Sequence, residues 1–100
     1  MAVAFIPEWR NASAGTDNYD AVAAKIDAQS NRPEGLIAHT VGRDANSVFR
    51  IFDIWEAREH AERFQQQQAM PIVSEVMQQR DNMVQPDVTV TYELHDLVRG

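Results

Sequence analysis

The sequence predicts one α+β domain with the element order β-α-β-β-α-β. Its 100 residues are enough for a single core and too few for two. Apolar runs of strand length are separated by stretches whose apolar residues recur at helical spacing. A short polar link, Gly42 to Asn46, joins two adjacent strand-like runs and implies a hairpin between two β-α-β halves.

The first strand is Ala2 to Ile6, which Pro7 turns into a loop holding Trp9 and Gly15. Thr16 or Asp17 can cap the following helix, because a side-chain oxygen there accepts an amide of the first turn. Tyr19, Val22, Ala23 and Ile26 then form one apolar stripe. The turn formers Ser30 to Gly35 end that helix. Leu36 to Val41 is the second strand and Ser47 to Glu56 contains the third. Glu56 to Gln68 reads as a helix with Ala57, Ala61 and Phe64 inward. Pro71 predicts a break or kink near Met70. Ile72, Val73, Val76 and Met77 give the next segment its own stripe. After Pro86, alternation of Val88, Val90, Tyr92 and Leu94 with Thr89, Thr91, Glu93 and His95 marks the last strand.

This is the ferredoxin-like order, an antiparallel sheet in which the first and third strands are central. The third strand is apolar on both faces: Phe49, Ile51 and Trp55 on one, Val48, Phe52 and Ile54 on the other. Helices cover only one face of such a sheet. A homodimer with sheets packed face to face is therefore the expected assembly.

Composition excludes several functions. With no cysteine there are no disulfides, thiolate nucleophiles or iron–sulfur ligands. His39, His60 and His95 are too far apart for a local metal motif, so no metal site is expected. The net charge of −6 and the scattering of eight arginines and Lys25 argue against nucleic acid and anionic membranes. The apolar start is too short for a signal peptide or a membrane span, and a cytoplasmic location is the expectation. No dinucleotide, phosphate-loop, zinc-protease or nucleophile-elbow motif is present.

Candidate site residues are polar groups on apolar strands. Asp53 interrupts the third strand on the face of Phe49, Ile51 and Trp55, where a carboxylate needs a partner. His39 lies on the adjacent hairpin strand. An odd-to-odd register brings it to Ile51 or Asp53, and a His–Asp pair can serve as a general base. A slip of one residue puts the two on opposite faces. The competing structural reading pairs Asp53 with an arginine such as Arg50 across the dimer. Trp55 is a core or pocket-wall residue, and Trp9 and Tyr19 can rim a cavity. His95 is either a pocket group or a dimer contact. His60, on a charged helix, is expected in solvent. So is the run Gln65 to Gln68.

The segments Pro33 to His39, Arg50 to Glu56, the helix with Phe64 and the ending Leu94 to Arg99 resemble the dimeric α/β-barrel superfamily. Within it the chain is similar to antibiotic-biosynthesis-monooxygenase-like proteins. The resemblance covers nearly the whole chain and implies the fold and the dimer. The superfamily's activities range over quinone-forming monooxygenases, haem degradation and polyketide cyclisation. Its haem-degrading members have a first-strand asparagine, a tryptophan ending the third strand and a haem-ligating histidine in the second helical region. Trp55 matches the tryptophan, but Ala2 to Ile6 lacks asparagine and Ser74 stands where histidine is wanted. No cofactor is therefore expected. Of the asparagine, tryptophan and tyrosine associated with cofactor-independent monooxygenases, Trp55 and either Tyr19 or Tyr92 are available.

The resulting expectation is a homodimeric pocket protein for an aromatic or polyketide-like metabolite. In the enzymatic form, His39 or His95 abstracts a proton, Asp53 orients the base, and Trp55 with Phe64 packs on the substrate. The alternative is a non-catalytic ligand-binding or assembly homodimer.

Overall fold

The first strand runs further than its sequence suggests. In the computed structural model, which describes residues 1–10, 17–46, 48–79 and 86–99, β1 spans Val3–Trp9 with Pro7 inside it. Proline has no amide to give a ladder. Pairing with the adjacent strand β3 (Phe49–Trp55) accordingly lapses between Phe5–Asp53 and Glu8–Arg50. The other edge of β1 stays paired through Glu8. Trp9 is thus a strand residue opposite Phe49 rather than a loop residue. Gly15, the cap expected of Thr16 or the Asp17 side chain, and Ser47 lie outside the described residues.

The other elements are α1 (Asp17–Ile26), β2 (Leu36–Arg43), α2 (Arg58–Phe64), α3 (Met70–Gln79) and β4 (Val88–Glu93). The sheet order is β2-β3-β1-β4 with antiparallel neighbours, so the first and third strands are central as expected. Cross-strand pairs share a face. Val3, Phe5 and Trp9 therefore look toward the helices together with Trp55, Asp53 and Phe49. By the same register Thr89, Thr91 and Glu93 of β4 take that face. Val88, Val90 and Tyr92 look the other way, beside Ala4 and Ile6. Among the described residues no helix lies over that outer face, and Val90 and Tyr92 are 40% and 44% exposed.

The core under the helices is built on Val3, Trp55 and Ala61, with Phe5, Leu36 and Phe64 packed against them. Trp55 is 1% exposed, and its ring lies 5.3 Å from that of Phe64. Val76 of α3 is likewise buried, at 1% exposure. No helix among the described residues is long and apolar enough to cross a membrane.

Pro71 does not break the helix. A π-turn, Gln65–Ala69, joins α2 to α3, and the Met70 N–H donates to the Gln65 carbonyl five residues back. In an ordinary α-helix the Pro71 ring would press on the carbonyl of Gln67. A wider turn relieves that crowding, and the helical run continues from Arg58 to Gln79.

His60 departs from expectation in being half-buried, with a buried Nδ1 that has no hydrogen-bond partner. It packs against Gly35, whose φ of +84° is a left-handed conformation and whose carbonyl accepts the Glu56 N–H at 2.7 Å. A methyl group on Gly35 would stand 2.3 Å from His60 Cγ. Gly35→Ala is expected to cost about 2–3 kcal/mol through left-handed strain and overpacking. A urea midpoint equal to that of the parent chain would contradict this.

Candidate functional site

One register decision assembles the site. Leu36 pairs with Trp55, but Ala38 pairs with Ile54 and His39 with Asp53, so a β-bulge lies between Leu36 and Ala38. Had the Leu36–Trp55 register continued, Ala38 would oppose Asp53 and His39 would oppose Phe52 on the outer face. The bulge turns the histidine inward. Its carbonyls are held by one guanidinium: Arg32 donates to Leu36 O at 2.9 and 2.7 Å and to Ile37 O at 2.8 Å.

His39 Nδ1 lies 2.5 Å from Asp53 Oδ1, and the Tyr19 hydroxyl lies 2.7 Å from His39 Nε2. The Tyr19 and His39 rings are stacked, 11° from parallel with centroids 6.2 Å apart. A carboxylate only accepts, so Nδ1 donates to Asp53 and Nε2 of the neutral ring accepts from Tyr19. This is a three-membered proton path with an oriented imidazole at its centre. Its hydrogen bond to Asp53 raises the His39 pKa above the ordinary histidine value, burial opposes that, and the Asp53 charge adds to the rise. The Tyr19 pKa is also raised, chiefly by burial and then by the negative charges of Asp53 and Asp20. Asp53 is 6% exposed. Arg50, the expected alternative partner of Asp53, instead lies on the outer face and bridges Glu8 and Asp44.

The path borders a cavity of about 700 Å³ between the sheet and α1, the π-turn and α3, within the roughly 300–1,000 Å³ range of small-molecule sites. Trp9, Tyr19, His39, Asp53, Trp55 and Phe64 all line it. At one end Phe49 meets Trp9 and Tyr19, with ring centroids 5.7 Å apart in each pair. Trp55 and Phe64 close the other. His95 is not brought to the cavity. It follows β4 in an exposed segment, next to Leu94, whose N–H donates to the Ala2 carbonyl.

Two cavity features escaped the sequence reading. The Tyr19–His39 bond spans 20 residues, and no spacing rule points to it. Gln65 lines the cavity, whereas Gln66, Gln67 and Gln68 are exposed, so the glutamine run is not uniformly solvated. Its signal was available: Gln65 stands four residues from inward-facing Ala61 and beside Phe64. Tyr92, the other candidate tyrosine, lies on the outer face.

The one described imidazole of the lining is His39, both of whose ring nitrogens are hydrogen-bonded. Among the described residues no group of three histidine or acidic side chains could hold a metal ion.

An NMR titration of the His39 ring is expected to give a midpoint above the ordinary 6.5. Asp53→Asn should lower it, since the raising partner is lost while burial remains. A folded-state pKa that is raised stabilises the fold below the unfolded value. This contribution should fade as pH climbs through the His39 midpoint. An unchanged midpoint in Asp53→Asn would contradict the assignment.

No protein-family model matches the sequence, and no curated protein resembles it closely enough to count as a relative. Solved structures do match in fold. SnoaB, a cofactor-independent oxygenase from Streptomyces nogalater, superposes with a TM-score of 0.67 at 13% identity, covering 97% of this chain and 96% of its own. A candidate antibiotic biosynthesis monooxygenase from Nitrosomonas europaea gives 0.67 at 16% identity, covering 96% and 100%. A similar protein from Chloroflexus aurantiacus gives 0.61 at 15% identity over 100% of both chains. The fold is that of the antibiotic-biosynthesis-monooxygenase-like proteins.

Proposed function

We propose that this protein is a cofactor-independent enzyme acting on an aromatic or polyketide-like metabolite, with His39 as general base. The observation that carries the reading is the Tyr19–His39–Asp53 path on the wall of a largely apolar cavity. Asp53 holds the ring and stabilises the imidazolium that forms, while Nε2 takes a proton from an acidic phenol or enol. Because Tyr19 occupies Nε2, the substrate hydroxyl either displaces the tyrosine or passes its proton through it. The electron-rich carbon so formed has two outlets. It can add dioxygen, and the resulting peroxide can lose water to leave a new carbonyl. Alternatively, it can attack a carbonyl of its own chain and close a ring. Trp55 and Phe64 are the expected packing surface for the substrate ring, and Trp9 lies at the opposite end.

The fold shared with a cofactor-independent oxygenase supports the first outlet. Turnover should rise with pH as His39 loses its proton, with a midpoint above 6.5. With a phenol that the protein converts under air, His39→Ala should lower kcat by about 10²–10⁴-fold, the usual yield of a positioned base. Unchanged kcat in that variant would remove His39 from the mechanism. Binding of such phenols with no conversion would leave a ligand-binding protein.

A homodimer is part of this reading. Ile6, Val90 and Tyr92, with Phe52 and Ile54 of β3, leave the outer face of the sheet apolar. A second copy of the same face would cover it. Light scattering at micromolar concentration is expected to give a dimer mass, and Tyr92→Glu a smaller one. A monomer for the parent chain would refute the pairing.

A further inference from the structure

The outer face of the sheet is apolar over most of its area and charged along one row. In the sheet order β2-β3-β1-β4, the register sets its side chains in level rows. One row is Ala38, Ile54, Ala4 and Tyr92, and the next is Thr40, Phe52, Ile6 and Val90. The third is Gly42, Arg50, Glu8 and Val88, which puts a cation and an anion side by side on the two central strands.

That third row is balanced in charge. Arg50 Nε donates to Glu8 Oε1 at 3.1 Å, a second guanidinium nitrogen meets the same oxygen, and a third lies 3.6 Å from Asp44 Oδ2. The Glu8 side chain is 14% exposed, and its other oxygen, Oε2, is met by Arg10 at 3.8 Å. Two carboxylates therefore stand with two guanidiniums. The chain as a whole carries −6, so two copies repel one another over most of their surface. The outer face is a place where they can meet without adding to that repulsion.

Two aligned sheets related by a twofold axis can face each other in two ways. With the axis across the strands, each strand lies over its own copy and the rows run in reverse. Arg50 then meets Ile54 of the second copy, or a second Arg50 if the axis passes through the charged row. The first sets a charge against apolar side chains and the second sets like charges together, and both are unfavourable. With the axis along the strands, between β1 and β3, every row stays level with itself and β3 lies over β1 of the second copy. Arg50 then meets Glu8, Phe52 meets Ile6, and Thr40 meets Val90. Val88 comes over Gly42, where an added side chain has open space and a shallow cavity of about 290 Å³ is bordered by Thr40, Arg50 and Phe52. Charge and bulk both match in this arrangement alone.

We propose that Arg50 and Glu8 orient the homodimer: a second copy docks on the outer face with the twofold axis along the strands, and Arg50 of each copy pairs with Glu8 of the other. This rests on the homodimer argued above. It adds which strands meet and which side chains choose the axis.

The chain has no cysteine, so introduced ones report contacts without background. Thr40→Cys and Val90→Cys are prepared separately, mixed, and treated with a bismaleimide of about 10 Å reach, the spacing of packed sheets. A cross-linked pair is expected in the mixture and little in either variant alone. Cross-linking of Val90→Cys to itself, or none in the mixture, overturns the proposal while a dimer mass for the parent chain keeps the dimer. Glu8→Arg and Arg50→Glu should each weaken the dimer about tenfold or more in a light-scattering dilution series, because each creates like pairs. Their equimolar mixture should recover it, since a basic row then meets an acidic one, although the pair within each chain stays broken. Single variants as dimeric as the parent, or a mixture that stays monomeric, overturn the pairing. If a charge reversal fails to fold, the cysteine mixture decides alone. A monomeric parent chain removes the dimer and this inference together.

Discussion

The bulge between Leu36 and Ala38 is the constraint on which the candidate site depends. Side chains alternate along a strand, so one inserted residue changes the face of everything beyond it. Before the bulge, Leu36 faces the core with Trp55. After it, His39 faces the core with Asp53. Without the offset the aspartate would sit at 6% exposure opposite an alanine, with no imidazole to share its charge. Arg32, by donating to both carbonyls of the bulge, supplies hydrogen bonds that an interrupted ladder would otherwise lack.

The same pair sets the electrostatic character of the cavity. Its walls are mainly aromatic and aliphatic, so charges within it are poorly screened. Asp53 favours the protonated form of His39, and burial, followed by the charges of Asp53 and Asp20, favours the protonated form of Tyr19. An imidazole kept more basic than usual suits proton abstraction from a weakly acidic hydroxyl. The aromatic pairs at the two ends, Phe49 with Trp9 and Tyr19, and Trp55 with Phe64, give a flat ligand surfaces to pack on.

Two prolines show how local chemistry was absorbed rather than obeyed. Pro7 lies in a central strand, where a missing amide is normally unfavourable, and the ladder opens around it on one side only. Pro71 lies within a continuous helix, and a π-turn precedes it. In both cases the surrounding packing outweighs the local preference. Val3, Phe5 and Trp9 lie on the core face of β1, and Val76 anchors α3. The same logic governs His60, whose charged neighbours suggested solvent but whose ring fills the space left by a glycine.

The sequence by itself determined the order of elements, the central place of β1 and β3, and the marked position of Asp53. These follow from hydrophobic period, turn residues and one carboxylate on an apolar strand, all of which are local. It also pointed to Trp9, Tyr19, Trp55 and Phe64 on the cavity wall, because aromatic residues at strand and helix periods face inward together. It could not decide which side of the sheet His39 takes. That rests on a one-residue offset with no signature in composition or spacing. Nor could it bring Tyr19 to His39 or separate Gln65 from the three glutamines after it. Those outcomes depend on how α1 lies on the sheet and how far the helix turns before Pro71. Packing of whole elements decides both, and only the tertiary structure records them.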